Sequence, residues 1–396
     1  MNILVVSQHY YPENFRITDI CETLVKRGHK VTVICGYPNY PEGEIYPDYK
    51  GKNKKKHKRE IVNGVQLYRC NEIPRGHSKI KLFLNYYSVC FSMKRTAKRI
   101  KDKFDCIFIN QTSPVMVGWA GIAYAKKHNI PSILYCYDLW PASLAAGGVK
   151  KTSFIYSHYT KVSKKIYQNV DHICVTSKNF VGYLNELHGV DKQNISYLPQ
   201  YCEDLFGNIE NKLHNGYVFT FAGNIGKMQS IETIVKAASL IKDRKDICIQ
   251  IVGDGSDLTN CKELAKNLDT TNVEFLGRRP IEEMPEIYAN SDAMIVTLAK
   301  DELVSKTLPG KVQSYMAAGK VIIAAIDGET KEIMEEANCG YCTEAENIER
   351  LANSFRIFST KDKMIFAKNS RIYYQNHFDK QVFFNSLDNI INKLMK

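Results

Sequence analysis

Short apolar runs alternate with stretches of helical spacing along the whole chain. In the first half, Ile3–Ser7, Val31–Cys35, Val65–Arg69, Cys106–Asn110, Ser132–Tyr137 and His172–Thr176 are short and largely apolar. That is the pattern of parallel strands buried on both faces. Between the first two runs, Ile17, Ile20, Cys21, Leu24 and Val25 share one face of a helix over Ile17–Arg27, and Gly28 stops it. The alternation restarts near residue 217. Tyr217–Ala222, Cys248–Val252, Val273–Leu276, Ala293–Val296 and Val321–Ala325 are predicted strands. Ile231–Ile241, Asp257–Leu268, Ile281–Asn290 and Lys311–Ala318 are predicted helices between them. Strand–helix alternation predicts an α/β protein with two doubly wound parallel sheets facing a cleft. The expected domains are residues 1–200 and 201–370, joined by a polar, turn-rich connector over Leu198–Gly216. The final segment, 371–396, is expected to form one helix over Arg371–Lys396 that packs back across the junction.

Composition narrows the class. A chain of 396 residues with 44% apolar and 24% charged side chains has room for two cores and is neither disordered nor fibrous. The twelve cysteines show no framework spacing, and Cys339-Gly-Tyr-Cys342 stands alone as a C-x-x-C. Buried thiols are expected, with no disulfides and no metal. The N-terminal residues enter a strand directly and no long apolar run follows, so a cytoplasmic protein is expected.

Charge changes the picture more. Residues 1–200 carry 30 basic and 14 acidic side chains, a balance of +16, whereas residues 201–396 carry 24 and 28, a balance of −4. Such asymmetry suits an anionic partner. Lys50–Arg59 is expected to be a basic surface loop. Ile80–Lys103 mixes Leu82, Phe83, Leu84, Tyr86, Tyr87, Val89 and Phe91 with a basic flank. It suits either the edge of an anionic bilayer or a core helix with a wet basic end.

Three blocks offer chemistry. Phe221-Ala-Gly-Asn-Ile-Gly-Lys-Met-Gln-Ser230 runs from a strand through glycines to a helix start, an arrangement that binds a diphosphate. Gly223 and Gly226 permit close backbone approach, and Lys227 adds charge. Gly253 and Asp254 form a second strand-end turn, where Asp254 either meets a ligand or caps the next helix. The third block, Leu303–Ile323, has a polar loop ending at Pro309 and a helix opening with Lys311, Gln313 and Ser314.

These residues carry a resemblance. Gln8-His-Tyr-Tyr-Pro-Glu13, Arg27–Val33, Gly36–Gly43, Asp138-Leu-Trp-Pro141, Ala222–Gly226, Val252–Gly255 and Pro309–Gly319 occur in the order seen in family 4 glycosyltransferases of the GT-B fold. The chain is most similar to the bacterial O-antigen and capsule subgroup containing L-fucosamine transferases. The resemblance implies Rossmann-like domains, a nucleotide-sugar (UDP in most members) bound by the C-terminal domain, and an acceptor bound by the N-terminal domain. It implies metal-independent transfer with retention and no cofactor. The implied acceptor is a lipid-linked (polyprenyl diphosphate) saccharide at the inner face of the plasma membrane, with no role for nucleic acid. The sugar expected is an N-acetylated amino or deoxyamino sugar.

The expected site follows. Lys227, Lys311 and Asp138 are the catalytic candidates: the lysines because a departing diphosphate develops charge that needs cations, and Asp138 either to orient the attacking hydroxyl or simply to cap its turn. Donor-binding candidates are Gly223, Asn224, Gly226, Gln229, Gly253, Asp254, Ser305, Lys306, Thr307, Pro309, Gln313 and Ser314, the last two for the ribose. Acceptor candidates are His9, Asn14 and Arg16. Several positions depart from the wider family. Lys306 and Ser314 stand where a Glu pair is usual, Asn224 and Gln229 replace an Arg and a Lys, and Tyr137 replaces the His before Asp138. The competing expectations are a UDP-sugar 2-epimerase of the same fold and an inactive sugar-nucleotide-binding protein.

Overall fold

The computed structural model describes the chain except His77, Asn208, Ser359 and Lys396, and the side chains of Lys79 and residues 360–362. The chain forms two compact units. One comprises Met1–Thr176, Phe180–Tyr197 and Asn389–Lys396, the other Ser177–Asn179 and Leu198–Asp388.

The first unit is built on eight strands: β1 (Asn2–Ser7), β2 (Lys30–Gly36), β3 (Arg59–Val62), β4 (Val65–Cys70), β5 (Cys106–Gln111), β6 (Ser132–Cys136), β7 (His172–Val175) and β8 (Ile195–Tyr197). Their order is β3-β4-β2-β1-β5-β6-β7-β8. All pairs are parallel except the β3–β4 hairpin. The expected strands are present; β3 and β8 are additional edge strands. The hairpin turns on Asn63-Gly64, both with positive φ (50° and 82°), the sequence pair that suits a two-residue hairpin turn. The basic stretch Lys50–Arg59 is not simply a loop: Asn53–Lys56 forms a helical turn and Arg59 already belongs to β3.

The second unit has six parallel strands: β9 (Tyr217–Ala222), β10 (Ile247–Val252), β11 (Val273–Gly277), β12 (Ala293–Thr297), β13 (Val321–Ala325) and β14 (Gly340–Thr343). The order is β11-β10-β9-β12-β13-β14. The C-terminal segment departs from the single helix expected. Helices span Thr360–His377 and Lys380–Leu394. The break has a local cause: Phe378 turns into the core, and Asp379 Oδ1 accepts from Gln381 N at 2.7 Å, which starts a new helix.

In each sheet the winding direction reverses once, between β1 and β5 and between β9 and β12. Loops diverge there at the carboxyl ends of the strands, leaving a crevice where doubly wound sheets bind ligands. All twelve cysteines are free, and ten are buried. Among the described residues no helix is long and apolar enough to cross a membrane.

Candidate active site

At the second unit's reversal point, the β9 and β10 loops stack backbone on backbone. A Cβ on Gly253 would lie 1.8 Å from the Gly223 carbonyl oxygen, and one on Gly255 would lie 2.3 Å from that of Ile225. Side chains at either position would force the loops apart. This stacking occupies backbone donors of the expected phosphate cradle. Gly223 N–H donates to Val252 O (2.9 Å), Ile225 N–H to Asp254 O (2.9 Å) and Gly226 N–H to Gln229 Oε1 (3.2 Å). Those donors serve the fold rather than an anion. Gln229 Oε1 also accepts from Asn224 Nδ2 at 3.0 Å, so both polar side chains tie their own loop. Asp254 accepts from Gly255 N–H at 2.7 Å. It does not cap the next helix, which begins only at Leu258, past its reach.

The cation at this crevice is Lys311. Tyr315, one turn along the helix Gly310–Ala317, bonds both the N–H and the carbonyl of Ala222 at 3.1 Å. That contact lays the helix start over the end of β9. Lys311 Nζ then sits 3.7 Å from the Phe221 ring centroid, and a Cβ on Gly223 would lie 2.9 Å from it. The amine is buried and, among the described residues, has no hydrogen-bond partner. Burial alone pushes its pKa down to about 7, because desolvation penalises the charged form. Lys227 is placed differently. It is exposed and lines a groove of about 470 Å³ with Glu232, Asp257, Asn260, Cys261 and Leu264. The structure does not bring the two lysines together.

Gln313 and Ser314, expected at the ribose, are buried and turn onto their own helix. Ser314 Oγ reaches Gly310 O at 3.4 Å. Gln313, in the amide orientation that matches its surroundings, donates to the carbonyls of Gly310 (3.1 Å) and Pro309 (3.0 Å). Lys306 pairs with Glu302 at 3.3 Å, Ser305 Oγ donates to Glu302 O (2.9 Å) and Thr307 Oγ1 to Val304 O (2.7 Å), closing a compact loop. Sequence reasoning missed Glu329, the first residue of the helix Glu329–Ala337 after β13. It is fully buried and accepts from Lys178 N–H (2.7 Å) and from the Ser177 hydroxyl, which also bonds the Lys306 carbonyl. Its only sequence signal is a strand-end Gly-Glu pair.

At the first unit's reversal point, His9 is buried, stacked on Phe15 (4.7 Å between centroids), with Nδ1 3.0 Å from Glu13 Oε2. Glu13, also missed, accepts from the N–H groups of Asn39 and Tyr40, both at 2.8 Å. Asn14 is exposed beside them, and Arg16 opens the helix Arg16–Lys26. Asp138 follows β6 and accepts from Ser113 Oγ at 2.9 Å; burial raises its pKa against that bond. Deeper lies Glu72, bonded by Asn85 Nδ2 at 2.8 Å and pushed up to about 8 by burial.

Comparison with known proteins follows the same division. Residues 15–200 match the model of "Glycosyltransferase Family 4", and residues 205–375 that of "Glycosyl transferases group 1". The chain belongs to glycosyltransferase family 4. It is 25% identical to WcaI of Escherichia coli, a glycosyl transferase assigned to colanic acid biosynthesis, over 90% of this chain and 91% of WcaI. Among solved structures, sucrose-phosphate synthase from Thermosynechococcus elongatus superposes with a TM-score of 0.77 at 17% identity, over 99% of this chain and 98% of that one. Anabaena HepE in complex with UDP gives 0.71 at 14% identity, over 99% and 100%. The fold of this glycosyltransferase is GT-B. Lys306 and Ser314 stand where a Glu pair is usual in the family, and Glu329, from outside the loop, reaches the Lys306 carbonyl through the Ser177 hydroxyl.

Proposed function

We propose that this glycosyltransferase moves a sugar from a UDP-linked donor to a lipid-linked saccharide acceptor in bacterial surface-polysaccharide synthesis. The reading rests on one observation above the others: a buried lysine amine with no hydrogen-bond partner among the described residues, Lys311, at the reversal point of the second sheet. A buried unpaired amine is costly, and a diphosphate there supplies the missing charge. As the bond to the sugar breaks, negative charge grows on the leaving diphosphate, and Lys311 with the N-terminus of its helix stabilises it. Lys227, exposed at the next turn, is placed to meet charge only at the outer rim. That HepE was solved with UDP and with UDP-glucose supports this donor class, and WcaI's assignment to colanic acid supports the pathway class. Transfer proceeds with retention and without a metal in this reading. The sugar moved is an N-acetylated amino or deoxyamino sugar.

The acceptor belongs to the first unit, where His9–Glu13 and Asp138–Ser113 are two fixed polar pairs at the carboxyl ends of its central strands. Asp138, partly exposed, is suited to orient the attacking hydroxyl. The lipid part of the acceptor fits the surface of the same unit. The helix Lys79–Arg99 buries Val89, Cys90 and Met93 on one face and exposes Ile80, Phe83, Leu84 and Phe91 on another. Phe83, Tyr87, Phe91 and Trp119 form a run of ring contacts, with Lys94 above Trp119. Apolar groups flanked by lysines suit an anionic inner-leaflet surface. Incubating membranes that carry lipid-linked acceptor with a panel of UDP-sugars tests the reading. Transfer from one member supports it; hydrolysis or epimerisation without transfer rejects it.

A further inference from the structure

The reversal-point crevice accounts for the phosphates, and the two acids of the loop after β12, Asp301 and Glu302, are spent on that loop's own backbone and on Lys306. Lys306 and Ser314 occupy the two positions where one was sought. The tertiary structure brings an acid there from the neighbouring strand. Gly328, with φ of 74°, packs so tightly on the loop that a Cβ would lie 1.9 Å from the Ser305 carbonyl oxygen. Glu329 follows it, and none of its surface is exposed. Its Oε2 accepts from Lys178 N–H and from the Ser177 hydroxyl, and that hydroxyl also meets the Lys306 carbonyl. One carboxylate thus grips the segment Ser177–Lys178 and, through it, the backbone of the loop carrying Ser305, Lys306 and Thr307.

The chemistry of this corner differs from that around Lys311. A buried carboxylate repels a diphosphate, whereas hydroxyls and backbone carbonyls held in fixed geometry suit a neutral polyol. We infer that Glu329 is the positioning residue of the donor's sugar subsite, setting the Ser305–Thr307 loop against sugar hydroxyls while the nucleotide is held elsewhere. The inference rests on the donor reading above and assigns its sugar end.

Isothermal titration of UDP, and of a UDP-sugar that the enzyme turns over, separates the two parts of the donor. The proteins compared are the wild type and the variants Glu329→Gln, Glu329→Ala and Ser177→Ala. In Glu329→Ala, UDP affinity is expected to stay within about twofold, while UDP-sugar affinity falls roughly tenfold or more, the scale of one hydrogen-bonded contact. Glu329→Gln keeps an acceptor oxygen and restores much of the loss. Ser177→Ala, which leaves Glu329 in place, shows the same split in milder form and stands in should Glu329→Ala not fold. Equal weakening of UDP and UDP-sugar, or no weakening in a folded variant, overturns the inference alone. A wild-type protein that binds no UDP overturns the donor reading and takes this inference with it.

Discussion

The two reversal points are built with opposite charge to the halves that carry them. Residues 1–200 hold a formal balance of +16, yet the floor of their reversal point is acidic: Glu13 and Glu72 are buried and Asp138 is half-buried. Residues 201–396 hold −4, yet their reversal point is set by a lysine. The acids of the first unit sit among donors. Glu13 takes two backbone N–H groups and His9, and Glu72 takes Asn85. The lysine of the second unit has none. Net charge by half therefore describes the surface and the long-range field, and the site is decided by a few groups that burial isolates. Each of these acids already holds at least one hydrogen bond, whereas the amine holds none among the described residues and gains the most from a charged ligand. That difference is why the donor end is the better-defined half of the site.

The strongest way to break the comparison is Lys311→Ala. Transfer is expected to drop by about 100-fold, the scale of one lost electrostatic stabiliser; steady-state rates close to wild type in a folded variant would remove the lysine from the mechanism. Its titration sharpens the point. Burial holds the amine near 7 in the unliganded protein, so above that pH it is neutral, and a diphosphate must bring a proton in with it. UDP affinity is then expected to weaken by up to about tenfold per pH unit between pH 7.5 and 9. Lys311→Ala flattens that slope, and a wild-type slope of zero contradicts the assignment.

Glu72 tests the other half through stability. Its carboxyl is pushed up to about 8 by burial. Between its ordinary value and 8 the folded state binds the extra proton, so stability falls as pH rises through that window and the full cost stands above it. Glu72→Gln removes the titration and keeps an acceptor for Asn85. It is expected to raise stability at pH 8.5 by about 1–3 kcal/mol and to leave stability at pH 5 nearly unchanged, as urea denaturation would show. A variant less stable at pH 8.5 would mean that the ionised acid is held by partners. The smallest effect concerns the surface. Replacing Phe83 and Phe91 with Ser should reduce flotation with anionic vesicles severalfold, and unchanged, salt-insensitive flotation would exclude this helix as the contact.

Much of this was legible in the chain itself. The buried strands announced themselves because a residue run with both faces in the core must be apolar throughout. The glycine loops after β9 and β10 were visible, as was the Pro309–Lys311 helix start. Edge strands were less visible: β3 alternates exposed and half-buried positions, and β8 and β14 are only three and four residues long. The close approach that Gly253 and Gly255 permit is to the neighbouring loop. A sequence pattern shows that the backbone approaches something closely and does not say what.

The sequence by itself determined the two doubly wound sheets, the loop that carries Lys311 and the basic, aromatic helix, since each is a matter of local periodicity. Only the tertiary structure decided which polar groups remain available. It tied the Gly223 and Ile225 donors into the loop stack, turned Gln313 onto its own helix and left Lys311 without a hydrogen-bond partner among the described residues. It also carried Glu329 across from β13 to the Lys306 loop. Hydrogen bonds between residues about 20 to 150 positions apart are set by how strands are ordered in a sheet, and no local pattern encodes that order.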